Sequence, residues 1–378
     1  VTAVSSDLDF SYSQMGFILG TWQLVYTVAA IPLGFLIDRI GTYKSLLLAV
    51  SVVSLSGILR SFAGSFESLV IFVGLFGVGG SMVSIGIPKV ASTLFVGKER
   101  ATATGIYSTG GTAGSIIALS LTNSVVIPLV GSWRTAYLIY GLFGFLVAIV
   151  WLLRGRASQG TASQCVNSLS AGKIGWPEIK QALSRNVVLV VVIGITTFLV
   201  AHGLAQWLPT ILQLNGMTAI EAGYAVSMVA VFMIFGSLMA PRLPYWLGSK
   251  KLAICILLVI QGMSVLTISG VSGPVLWTVL ALRGISGGFM PLLSMVLMDL
   301  PEVGPARMGM VGGLFFAIGE IGGFGGPAMM GIFKDLTGTF LWGLVFLAAA
   351  CEAMIIPTIF LRVDKKQELP LSDSLHQP

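Results

Sequence analysis

Apolar residues along this chain fall in long unbroken runs rather than at the spacing of an amphipathic helix or strand, and polar residues gather in short clusters between them. The runs lie near residues 13–33, 44–62, 69–92, 102–128, 135–153, 186–206, 222–240, 251–269, 274–298, 308–333 and 340–361. Each is long enough to cross a hydrocarbon core roughly 30 Å thick. Lipid offers no water to unpaired backbone groups, so spans of this length must be helices. The pattern predicts an all-α membrane protein of about eleven transmembrane helices.

Composition agrees: 55% of residues are hydrophobic, 10% are charged, and the mean hydropathy is +0.94. No water-wetted globule can be built from such a chain. A polar segment, residues 154–185, holds Arg154, Arg156, Lys173, Lys180 and Arg185. It reads as a linker, with one surface helix near Trp176 to Leu183, and divides the chain into bundles at 1–153 and 186–361 with a tail at 362–378. Lys and Arg are one-sided in the loops. Arg39, Lys44, Lys98, Arg100, the linker residues, Arg242, Lys250, Lys251, Arg307, Arg362, Lys365 and Lys366 fall on one face, against Arg60, Arg134 and Lys334 on the other. Basic loops stay in the cytoplasm, which places the linker and C-terminus there and the protein in the cell membrane as a multi-pass chain. The net charge of +6 is then a topology signal, and no nucleic-acid partner is needed to explain it. Cys165, Cys255 and Cys351 fit no metal spacing and read as structural.

The run Gly34-Phe35-Leu36-Ile37-Asp38-Arg39-Ile40-Gly41-Thr42-Tyr43-Lys44 lies between the first two spans. It resembles the loop between helices 2 and 3 of major facilitator superfamily transporters. Arg100 and Gly105 before one span are echoed at the same spacing by Arg307 and Gly312 before another, and Gly236 through Pro241-Arg242 to Gly248-Ser249-Lys250-Lys251 looks like a worn copy of the Gly34 run. The resemblance implies two pseudo-symmetric six-helix bundles, with the spans here matching helices 2 to 12 and helix 1 missing ahead of Val1. It also implies alternating access about a midplane site. In such transporters the acid matching Asp38 engages the start of helix 11 and an Arg of the helix 4 to 5 loop, for which Arg100 is the candidate. Gly34, Asp38, Arg39, Gly41, Lys44 and Arg100 are therefore the expected gating set.

Ionisable groups inside spans are costly unless paired or wetted, which makes them the sharpest functional pointers. Arg283, in the pattern Arg-x-x-x-Gly287, is expected to face the cavity and hold an anion, the alternative being a pair with Glu320 or a backbone carbonyl. Glu320 is the candidate proton-coupling carboxyl, whereas Glu352 reads as a packing partner. Lys89 lines the cavity or snorkels to the interface. His202 is a titratable candidate or a hydrogen-bonded structural histidine. Among Trp22, Gln23, Tyr26, Asn123 and Gln206, the choices for cavity polar groups are Tyr26 and Gln206. Trp207-Leu208-Pro209 reads as the break ending its helix, with Trp207 in an interfacial belt.

No nucleotide loop, metal cluster or nucleophile–base arrangement is visible, so neither an enzyme nor a cofactor is expected and energy must come from a gradient. The texture from Ile87-Pro88-Lys89 to Ser132-Trp133-Arg134 is similar to cyanate, nitroimidazole and other small organic-anion permeases. The leading expectation is a secondary active transporter of a small anionic organic solute, working as a monomer in the lipid bilayer with protons as the coupling partner. The rivals are a proton-coupled drug efflux antiporter and a non-transporting membrane sensor on a carrier scaffold.

Overall fold

The computed structural model describes residues 1–95, 97–154 and 184–363. A short helix, α1 (Thr2–Leu8), precedes α2 (Tyr12–Ile40), α3 (Thr42–Ser61), α4 (Phe66–Leu94), α5 (Gly97–Leu121) and α6 (Trp133–Arg154). The second half holds α7 (Arg185–Leu214), α8 (Ala219–Met239), α9 (Lys250–Thr267), α10 (Gly273–Ser286), α11 (Gly304–Thr337) and α12 (Leu341–Ala353). A π-helical turn, Thr122–Val126, and Ile127–Val130 extend α5; Phe289–Met298 continues α10, and Ile355–Phe360 continues α12. Eleven helices among the described residues are long and apolar enough to cross a membrane. The expected linker helix at Trp176 to Leu183 lies outside the described residues.

Two departures from the apolar pattern have clear causes. Helix α7 does not stop at Pro209 but runs through it to Leu214. Trp207 is fully buried there and its Nε1 donates to Pro327 O of α11 at 2.9 Å, so it is an interhelical anchor and not part of an interfacial belt. A proline removes one intrahelical bond, but packing against a neighbour can hold a membrane helix together across it. The span at 274–298, expected as one helix, breaks at Gly287-Gly288, where the backbone presses against Met233, Gly236 and Ala240 of α8 and its extension.

Helix pairing repeats between the halves. Helix α3 packs on α6 as α9 packs on α12, and α2 packs on α4 as α8 packs on α10. Small residues permit this closeness: a Cβ on Gly57 would stand 3.1 Å from Gly141 Cα, and one on Gly203 3.1 Å from Gly326 Cα. The two lobes meet along α2 with α11 and α5 with α8, a reciprocal pair under the same repeat.

That seam is confined to one half of the molecule. From Tyr12 to Thr27, α2 lies on α11: Gly331 abuts Tyr12, Gly20 abuts Phe324, and Thr27 Oγ1 donates to Ala317 O at 3.1 Å. Likewise Ser120 bonds Ser227 at 2.8 Å and Asn123 Nδ2 donates to Ala219 O at 3.3 Å near the last turns of α5. Toward the other end, here called the basic face, a Cβ on Gly34, Gly110, Gly111 or Gly114 would meet nothing within 4 Å. The lobes are pinched at the face opposite the basic one and parted toward it.

The pinched face carries further ties. Asp335, near the end of α11, accepts the backbone N–H of Tyr12 at 3.1 Å and of Ser13 at 2.7 Å, at the start of α2. Helix α1 lies across both lobes: Asp7 pairs with Arg134 and accepts Trp133 Nε1, while Thr2 bonds Gln213 at 3.2 Å. On the basic face Gly41 has φ +83°, a left-handed value that favours glycine and lets α2 turn directly into α3.

Candidate functional site

Within the seam, one turn short of its end toward the basic face, three helices aim polar side chains at one point. Gly323 of α11 supplies the room. A Cβ there would stand 2.5 Å from Glu320 Oε2, 3.2 Å from Gln23 Cγ and 3.3 Å from His202 Nδ1. Glu320 comes from α11, His202 from α7 and Gln23 from α2 of the other lobe. Pro327 has no N–H to offer the carbonyl one turn earlier, so the Gly323 oxygen lacks its usual helical partner as well.

The groups are held by packing more than by one another. His202 stacks on Phe198 at 5.7 Å, meets Trp22 edge-on at 5.7 Å, and its Nδ1 is 3.1 Å from Phe198 O. A carbonyl only accepts, so Nδ1 carries the proton and Nε2 is left as an acceptor in the neutral ring. Trp22 in turn meets Phe76 of α4 edge-on at 6.0 Å. Tyr26 of α2 is half-buried, beside Ser84 of α4 and toward Glu320 of α11. Glu320 is 8% exposed with Oε2 unpartnered, and Gln23 is fully buried with both amide atoms unpartnered. Buried polar atoms normally have partners, so unpaired ones on facing helices mark a place built to receive something.

Glu320, His202 and Tyr26 are thus brought together. Gln206 lies half-buried on α7, one turn beyond His202 and on the same side of that helix. Gln23 was legible only as one of several uncharged candidates; its signal is an amide in the middle of an apolar span.

Arg283 and Lys89 are not among the residues brought to this point. Arg283 is buried in α10 of the second lobe, with Nε unpartnered. It forms no ion pair with Glu320. Gly284 and Gly287, just after it in sequence, press α10 against α8. Lys89 pairs with Asp38 at the basic face, α4 to α2, within one lobe. Arg39 and Lys44 are exposed beside it. The side chain of Arg100, the expected partner of Asp38, lies outside the described residues.

Two helical lobes about a crevice, with a polar knot at its apex, define a membrane transporter. The sequence model of the Major Facilitator Superfamily matches residues 1–327, and the chain belongs to that superfamily. It is a multi-pass transport protein rather than an enzyme. Among its relatives, the "Probable galactarate/D-glucarate transporter" of Bacillus subtilis is 25% identical over 99% of this chain and 90% of its own length. The "Hexuronate transporter" of the same organism is 24% identical over 98% of this chain and 92% of its own. The "D-galactonate transporter" of Escherichia coli is 24% identical over 96% and 90%. Among solved structures, a bacterial homolog of the human lysosomal transporter Spinster superposes with TM-score 0.70 at 18% identity, covering 96% of this chain and 89% of that one.

Proposed function

We propose that this protein moves a small hydroxylated organic anion, of the sugar-acid type, across the cytoplasmic membrane by alternating access, with Glu320 as the proton-coupling carboxyl. The basic face is the cytoplasmic one by the distribution of Lys and Arg. The form described above is then open to the cytoplasm and shut toward the outside. The observation that carries the reading is Glu320 at the seam itself, unpartnered, facing Gln23 of the opposite lobe. A carboxyl in that place changes charge where the lobes must part and close, so its protonation biases one form over the other. The relatives named for galactarate, glucarate, hexuronate and galactonate support the solute class.

The test is uptake of a panel of labelled sugar acids into proteoliposomes with and without an inward proton gradient. Concentrative uptake that needs the gradient in wild type, and solute exchange that persists without gradient dependence in Glu320→Gln, is the expected result. Gradient-driven uptake unchanged in Glu320→Gln refutes the coupling role. Efflux of hydrophobic cations with no acid uptake favours the drug antiporter instead.

A further inference from the structure

We propose that Gln23 determines solute specificity by reading hydroxyl groups of the transported acid. This rests on the transport reading above and deepens it. Gln23 is 0% exposed at the middle of α2, yet neither Oε1 nor Nε2 has a hydrogen-bond partner. A purely structural amide in a membrane span would be tied to a backbone carbonyl. Its neighbours show that arrangement: Thr27 donates to Ala317 O one turn further along α2, and Trp207 donates to Pro327 O.

What surrounds the amide selects what can satisfy it. Glu320 Oε2 on the other lobe and the amide's own Oε1 are acceptors, and the amide Nε2 is a donor. A solute carboxylate brought against the ionised Glu320 would meet oxygen against oxygen. A bare methylene chain would leave every one of these groups unpaired. A hydroxyl group donates to the acceptors and accepts from the amide, so a run of hydroxyls fits where neither alternative does. Trp22, edge-on to His202 and Phe76, offers a flat apolar wall for the C–H face of such a chain.

The experiment compares two labelled six-carbon dicarboxylic acids in proteoliposomes, galactarate with its hydroxyls and adipate without. The readout is the ratio of their transport efficiencies, which does not depend on how much protein folds. In wild type the ratio favours galactarate. In Gln23→Leu it is expected to fall by about tenfold or more, because a site that hydrogen-bonds a hydroxyl discriminates strongly against its absence. Gln23→Leu with the wild-type ratio overturns the proposal. If that variant moves neither acid, the ratio is read from Gln23→Asn, whose shorter arm should lower it; an unchanged ratio there overturns the proposal too. Wild-type protein that moves the hydroxy acid while the variants keep its ratio sinks this inference alone. Wild type that moves neither acid sinks the solute class and this inference with it.

Discussion

Replacing Asp335 with asparagine should loosen the outer closure without disturbing the lobes themselves. In the present form both carboxylate oxygens are engaged, one on Tyr12 N and one on Ser13 N, across the seam from α11 to the start of α2. Asn keeps one acceptor, turns its NH2 toward the other N–H, and removes the negative charge from the positive end of a long helix. A hydrogen bond to a charged group contributes about 1.5–3 kcal/mol and a charge at a helix end about 0.3–1 kcal/mol. Asp335 is exposed, which argues for the low end after screening. A loss of about 1.5 kcal/mol is roughly tenfold in the ratio of outward-closed to outward-open protein. Spin labels on Gly64→Cys, in the loop between α3 and α4, and Leu214→Cys, at the end of α7, report the separation of the lobes on that face. The Asn variant should populate a longer distance that wild type barely shows. An unchanged distribution would mean that the contact does not bear on closure.

Other outcomes follow from the same contacts. Asp38→Asn should move the population the other way, toward protein open on the basic face, read with labels on that face; no change counts against a gating role for Asp38. Gly323→Ala puts a methyl 2.5 Å from Glu320 Oε2 and should abolish uptake while leaving assembly in the membrane intact; wild-type transport would show that the knot is not the site. Trp207→Phe leaves Pro327 O without its indole donor in a fully buried place and should destabilise the protein by about 1–3 kcal/mol, measured as thermal unfolding in detergent. The hydrogen bond from Arg134 holds the Asp7 carboxyl below the usual carboxylate range. That tie is therefore present above the ordinary range and is lost only as pH falls through the lowered value, so amide exchange in α1 should stay slow at mildly acidic pH and speed up in Asp7→Asn at all pH values.

The spans were legible because hydropathy reports the hydrocarbon layer, and for the same reason their ends were not. Helices outrun the layer: α2 continues to Ile40 and α11 from Gly304 to Thr337, past the apolar runs that mark them. Pro209 misled because sequence shows the missing N–H and not the Trp207 bond that anchors α7 across it. Glu320 stood out as a charge in an apolar run. Gln23 did not, because which side chains of α2 meet the other lobe cannot be read where both faces of a membrane helix are apolar. The surroundings of Arg283 were not legible on the same ground, since they depend on how α10 turns against α8. Asp335 was missed because an acid near the end of a span reads as loop until its partner, the start of another helix, is placed beside it.

Helices α2 and α11 run antiparallel across the seam, and Asp335, near the end of α11, is seated on the start of α2; the proposed counterpart at the other end is Asp38 with the start of α11. In the form described, Asp335 is seated on the Tyr12 and Ser13 amides while Asp38 is held by Lys89 of its own lobe. A rocking motion about the Gln23–Glu320 level lengthens one end of this helix pair as it shortens the other, and therefore trades one acid–helix contact for its counterpart. In the proposed cycle, contacts of matched chemistry at both ends would keep the two forms close in energy and let a small term at the pivot decide between them. The carboxyl of Glu320, at that level and facing an unsatisfied amide, is the group proposed to supply that term when it gains or loses a proton.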